Sequence, residues 1–248
     1  MQNPIIKNLN EILGRIETAC AHSGRNPSEV RLLLATKTVD AETIRLALQS
    51  GQTLIGENKV QEVKSKYEAL NDVFHEKHFI GHLQSNKIKD LIKCGVVCIQ
   101  SLDRAELAQK LHQRLAMEGK AMDVFIQVNT SGEASKFGVH PDRAVELAGQ
   151  VAELDTLRVK GLMTIGLFSA EQEKVRACFK LLRSVQQQII EARIPKVSVR
   201  ELSMGMSNDL EIAIEEGATM VRVGTAVFGK RMYPDSYYWD EGKDGLSE

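Results

Sequence analysis

Lys37 follows the apolar run Val30-Arg31-Leu32-Leu33-Leu34-Ala35, with only Thr36 between them. Such a run forms a strand buried on both faces, which puts the lysine at the mouth of the sheet. An amine there loses hydration. That loss favours the neutral form, and a neutral amine attacks an aldehyde to form a Schiff base. Two stretches far along the chain offer the complement. Gly205, Ser207 and Asn208 precede a helical segment carrying Leu210, Ile212 and Ile214, and Gly224-Thr225 opens a short helical turn toward Phe228. Backbone N–H groups and hydroxyls at such turns face an incoming anion. Arg222 stands two residues before Gly224, and alternate residues of a strand share a face, so its guanidinium is expected in the same mouth.

A lysine for an aldehyde, a cup for a phosphate and a fixed guanidinium together suggest pyridoxal 5′-phosphate. That cofactor needs a lysine, a phosphate anchor and a partner for its pyridine nitrogen. A guanidinium beside the nitrogen keeps it unprotonated and so a poorer electron sink. Transamination and decarboxylation are then disfavoured against holding the cofactor or, at most, racemising an amino acid. The plain alternatives are a solvated Lys37, glycines that serve only tight turns, and a barrel that binds some other sugar phosphate.

The elements that must position these residues follow a regular rhythm. Ile5, Ile12, Leu13 and Ile16 predict an amphipathic first helix, ended by Gly24, Asn26 and Pro27. Strand-like runs follow at Val30–Ala35, Thr53–Gly56, His78–Gly81, Val96–Gln100, Met122–Val128, Leu157–Thr164, Ser198–Met204 and Met220–Val223. Helical patterns lie between them. Strands alternating with helices imply right-handed crossovers and a parallel sheet. Eight such units in 248 residues match the size of a (β/α)8 TIM barrel, with a doubly wound open sheet as the competitor. Barrels of this kind carry their chemistry on the loops after the strands, and their phosphate site after the last two. Lys37, Ser207 and Gly224 all fall there.

Bulk composition narrows the field further. The chain has 32 Lys and Arg against 33 Asp and Glu, for a net charge of −1. That balance argues against broad binding to nucleic acid or anionic lipid and leaves room for a local basic pocket. No apolar stretch approaches the ~20 residues of a membrane span, and Met1–Asn10 does not read as a signal peptide. Cys20, Cys94, Cys98 and Cys178 are too sparse for a structural metal site and read as reduced thiols in the cytoplasm.

The stretches LLLATKTV, LIGENKVQE, HFIGHLQSNK, VNTSGEASKFG, GLMTIG, LSMGMSNDLEIAI and MVRVGTAVFG resemble, in order, the pyridoxal phosphate homeostasis protein family. That family is similar to the N-terminal barrel domain of bacterial alanine racemase, a fold type III cofactor barrel. The likeness runs from Leu32 to Gly229, and residues 1–248 are read as one barrel domain with an N-terminal helix and a short C-terminal tail. The resemblance implies that Lys37 carries pyridoxal 5′-phosphate as a Schiff base. It also implies that Ser207, Gly224 and Thr225 hold the phosphate, with Ser203 and Met204 lining the same wall. Arg222 lies beside the pyridine nitrogen, and Asn58, His78 and Ile80 surround the ring. Lys136 is implied as a basic residue at the pocket mouth that handles the cofactor during transfer, with Lys136 or Lys59 open as a second landing site. Lys59 replaces the family's usual tyrosine after Gly56-Glu57-Asn58, and His82 takes no assigned role.

Racemisation needs two bases on opposite faces of the substrate. In alanine racemase the second is a tyrosine delivered across a dimer that includes a further β domain. The stretch from Tyr233 to Trp239 is too short for such a domain and is expected to pack on the barrel. The expectation is therefore a monomeric cytoplasmic carrier with no metal and no marked catalysis. It would hand the cofactor to pyridoxal-phosphate-dependent apo-enzymes and so influence vitamin B6 and amino-acid pools. A weak amino-acid racemase is the alternative.

Overall fold

The computed structural model of the chain describes residues 3–229. Its strands are β1 (Arg31–Ala35), β2 (Leu54–Glu57), β3 (Glu76–Phe79), β4 (Val96–Leu102), β5 (Met122–Gln127), β6 (Leu157–Met163), β7 (Glu201–Ser203) and β8 (Met220–Val223). The helices are α1 (Pro4–His22), α2 (Ala41–Gln49), α3 (Val60–Leu70), α4 (Ile88–Lys93) and α5 (Ala105–Met117), then α6 (Ala144–Ala152), α7 (Gln172–Glu191), α8 (Leu210–Glu215) and α9 (Thr225–Phe228). Consecutive strands pair in order and the sheet closes into a barrel. One ladder settles closed against open: Arg31 to Leu34 of β1 run parallel to Met220 to Val223 of β8.

Side chains alternate along a strand, so a strand with helices outside and a filled barrel inside must be apolar throughout. In β1, Leu33 and Ala35 point inward to join Leu54, Ile80, Cys98, Phe125, Met163 and Met220 in the barrel interior. Leu32 and Leu34 point outward into the larger core under the helices. Cys98 belongs to the inner cluster and Cys94 to the outer one, so the strand wall separates these two thiols. All four cysteines are buried and free. Among the described residues no helix is long and apolar enough to cross a membrane.

Helix α1 starts where Asn3 accepts a hydrogen bond from the Ile5 N–H (2.9 Å) and Pro4 takes the first helical position. Its buried face, Leu9, Ile12, Ile16, Ala19 and Cys20, packs against α2, α8 and α9.

Only β8 keeps its expected bounds; four strands move by a single residue, β4 runs on to Leu102, and β3 and β7 shift for a visible reason. β3 covers Glu76–Phe79, so Ile80 and Gly81 follow it instead of ending it. A Cβ at Gly81 would collide with the Asn58 carbonyl, and only glycine lets the chain leaving β3 press against the backbone leaving β2. β7 shortens to Glu201–Ser203 because the Arg200 N–H turns back to the Ser198 carbonyl (2.9 Å) before the ladder begins. The stretch from Tyr233 to Trp239 lies outside the described residues.

Candidate functional site

Lys37 has the same parity as Leu33 and Ala35 and continues their inward direction beyond the end of β1. The turn that carries it is pinned at both ends: the Thr36 N–H donates to the Gly56 carbonyl (3.0 Å) and the Val39 N–H to the Thr36 carbonyl (3.0 Å). The lysine is only 8% exposed. It lines a cavity of about 140 Å³ at the carboxyl ends of the strands, together with Asn58, Ile80, Ser207, Arg222, Gly224 and Thr225. Apolar Ala35, Met163 and Ile165 add to the walls, Met206, Asn208 and Asp209 line the cavity from the loop after β7, and the exposed ring of Phe168 stands at the rim. The Oδ1 of Asn58 is buried without a hydrogen-bond partner.

Arg222 is buried, and its guanidinium is fixed from two sides. Nη1 donates to Ser203 Oγ (2.9 Å) and Nη2 to the Thr164 carbonyl (2.7 Å). Ser203 in turn donates to Gln100 Oε1 (2.6 Å), and the Gln100 amide donates to His78 Nδ1 (2.7 Å). A chain of buried polar groups thus crosses the barrel from β3 through β4 and β7 to β8. Burial lowers the Arg222 pKa to about 10, with the Asp209 charge opposing the fall, so the guanidinium stays charged at neutral pH. A buried cation whose bonded partners are neutral favours an anion or a lone-pair acceptor in the space beside it.

The far wall comes from two loops. Gly205, at φ 91, turns the chain sharply after β7 where a Cβ would lie 2.5 Å from that of Ala213. The Asp209 carboxylate accepts from the Met206 N–H (2.5 Å) and closes the loop, while burial pushes its pKa upward. The Ser207 and Thr225 hydroxyls then lie 3.4 Å apart, one from each loop. Helix α1 braces both. Arg15 Nη2 donates to the Ser207 carbonyl (2.9 Å), and Asn8 Nδ2 donates to the Val227 carbonyl (3.0 Å).

The structure therefore brings Lys37, Asn58, Ile80, Ser207, Arg222, Gly224 and Thr225 to one cavity and places three other expected residues elsewhere. His78 and Ser203 belong to the hydrogen-bonded layer that supports Arg222 and do not line the cavity. The expected wall position of Met204 is corrected. The alternation that turns Ser203 inward turns Met204 outward, into the core under the helices. Lys136 lies one loop away, where Nζ donates to the Gly166 carbonyl (2.8 Å) and pairs with Glu133. Lys59 immediately precedes α3 and does not line the cavity. His82 stacks on Phe137, with ring centroids 3.8 Å apart, and so joins the loops after β3 and β5. Gln100, Arg15 and Asn8 were not singled out from sequence. Gln100 directly follows the apolar Val96–Ile99 run, and nothing in its spacing marks it out.

A family model described as alanine racemase, N-terminal domain, matches residues 8–232. A pyridoxal phosphate homeostasis protein of Aquifex aeolicus is 46% identical over 225 residues, covering 91% of this chain and 97% of that one. The chain belongs to the pyridoxal phosphate homeostasis protein family. The Escherichia coli K12 member of that name is 40% identical over 236 residues, or 93% of this chain and 98% of its own. Among solved structures, PipY of Synechococcus elongatus with PLP bound superposes with a TM-score of 0.75 at 30% identity, covering 87% of this chain and all of that one. An alanine racemase of Clostridium difficile 630 reaches the same TM-score at 16% identity, spanning 93% of this chain and 58% of that one. The homeostasis protein family and the racemase barrel thus share this fold.

Proposed function

We propose that this protein is a carrier of pyridoxal 5′-phosphate, which it holds through Lys37 and contributes to the cell's balance of that vitamin and of amino acids. The observation that carries the reading is the single cavity in which a buried lysine, a buried guanidinium and hydroxyls from the last two strand loops converge. The relatives of 40–46% identity bear the homeostasis name, and PipY was crystallised with PLP bound, which supports the same ligand here.

The residues fit the group. Ser207, Thr225 and the backbone at Gly224 supply donors for the phosphate, and Ile80 and Met163 supply apolar surface for the ring. Arg222 offers its guanidinium toward the ring nitrogen, and the unpartnered Asn58 Oδ1 accepts from a ring hydroxyl. When bound, the cofactor supplies an aldehyde that condenses with a primary amine and releases water. Arg222 disfavours a proton on the ring nitrogen, which weakens the electron sink that transamination and decarboxylation need. Lys136 is assigned the second landing site because the Gly166 carbonyl that holds it adjoins Ile165 of the cavity wall. The reading takes the chain as one barrel unit acting as a monomer in the cytoplasm, with apo-enzymes as transient recipients.

Titration with pyridoxal phosphate tests it. The wild type is expected to turn yellow, while Lys37→Ala stays colourless and keeps its Tm within about 3 °C, because Lys37 faces the cavity and its loss leaves the packed cores untouched. Holoprotein incubated with alanine in heavy water is expected to exchange the α-proton no faster than free cofactor. Exchange well above that rate would make the protein a racemase.

A further inference from the structure

Behind the turn that carries Lys37, a buried carboxylate, Glu57 at the end of β2, meets two half-buried charges of α3, Glu62 and Lys66. Lys66 Nζ donates to the Thr36 carbonyl (2.8 Å), to Glu57 Oε1 (2.8 Å) and to Glu62 Oε2 (3.0 Å). Glu57 Oε1 also accepts from the Thr36 hydroxyl (2.6 Å), and Glu62 Oε2 accepts from the Thr38 N–H (2.7 Å). The residues on both sides of Lys37 are thereby bonded to the same charged cluster. Thr38 sits at φ 65, a left-handed conformation that a β-branched residue adopts only under constraint, and the Glu62 carboxylate supplies a bond to its N–H.

We infer that Glu57, Lys66 and Glu62 are positioning residues for Lys37, holding its backbone from both sides so that the amine stays over the cavity. The inference rests on Lys37 being the attachment point proposed above. None of the three touches the cavity, so each acts through the Thr36–Thr38 turn. One cation faces two carboxylates, and the cluster responds to pH accordingly. Burial raises the Glu57 carboxyl to about 7, with the Lys66 charge opposing the rise and the Glu62 charge adding to it. Burial also works against ionised Glu62, but the Lys66 charge and the Thr38 N–H outweigh it and keep that carboxyl low. Glu57 and Lys66 also line a cavity the size of one water molecule, which Tyr67 of α3 and His75, Lys77 and His78 of the β3 segment share. The second oxygen of Glu57 has no partner in the protein. Above neutrality Glu57 is ionised and holds Lys66 and Thr36 more strongly; below it, Glu62 alone balances Lys66.

The test compares wild type, Glu57→Gln and Glu62→Gln as full chains. Pyridoxal phosphate affinity is read from the absorbance of the adduct between about pH 6 and about pH 9, with thermal unfolding as the folding control. Glu57→Gln is expected to match wild type at the acid end and to bind about tenfold more weakly at the alkaline end, the ratio changing with a midpoint near 7. Glu62→Gln is expected to lose a similar factor at every pH. In cofactor-free protein, acetylation of Lys37 by limiting acetic anhydride, taken as the Glu57→Gln to wild-type ratio, is expected to change through the same midpoint. A ratio flat across the range with a yellow wild type overturns the inference and leaves the carrier reading intact. A wild type colourless at every pH overturns both. Should Glu57→Gln fail to fold, Glu62→Gln decides: a pH-independent loss supports the inference, and wild-type affinity overturns it.

Discussion

Lys37, the proposed attachment point, is the easy residue to find; what keeps the Arg222 guanidinium in place is harder. Lys37 and Arg222 were legible in the sequence because each continues an apolar strand at an inward parity. Gln100 was not, because one glutamine inside Val96–Leu102 carries no spacing signal, and only the closed barrel shows it bonding to both Ser203 and His78. The same limit explains Met204. The motif puts it beside the loop proposed to hold the phosphate, but strand alternation sends its side chain outward. Buried polar groups cost free energy when a partner is removed, so the chain through Gln100 gives a sharp expectation. Gln100→Leu leaves Ser203 and His78 without this partner, and denaturant unfolding is expected to show a loss of about 1–3 kcal/mol. Cofactor affinity is expected to fall with it, by about fivefold or more, as Arg222 loses its support from Ser203. Unchanged affinity in a folded variant would restrict this layer to stability.

At the scale of elements, the strands could be read because both faces of every strand are covered, and the run of apolar residues follows from that burial. Boundaries failed where a local contact ended the ladder, as Gly81 does against Asn58 and Ser198 does before β7. Helix α1 was legible as an amphipathic helix from Ile5, Ile12 and Ile16. Its polar reach was not, since Arg15 and Ser207 are 192 residues apart and nothing local couples them. The Arg15–Glu211 pair is more than a third exposed, so solvent screening leaves it little weight. The bond to the Ser207 carbonyl is the contact that matters for the site. Arg15→Ala is expected to weaken binding of pyridoxal phosphate by about three- to tenfold in calorimetric titration, with a stability loss of about 1 kcal/mol. An affinity equal to wild type would show that α1 covers the barrel without bracing the loops proposed to hold the phosphate.

For the whole molecule the consequence is a pH dependence with a defined sign. Glu57 titrates at about 7 in the folded chain against 4.5 for an ordinary glutamate. Between those values the native state therefore holds more protons than the unfolded state, and stability falls as pH rises through the window. Glu62, held below its ordinary value, contributes in the opposite direction and only at lower pH. Unfolding free energies of Glu57→Gln and wild type are expected to diverge in favour of the variant by up to about 3 kcal/mol between about pH 4.5 and about pH 7.5. Parallel curves would mean that Glu57 is ionised throughout. The proposed function turns on one amine, and the most direct measurement addresses that amine alone: borohydride reduction of the protein loaded with pyridoxal phosphate, followed by peptide mass mapping. The account predicts a single stoichiometric pyridoxyl group on the peptide containing Lys37. A pyridoxyl group on the Lys136 or Lys59 peptide with residue 37 unmodified, or no fixed label at all, would contradict it.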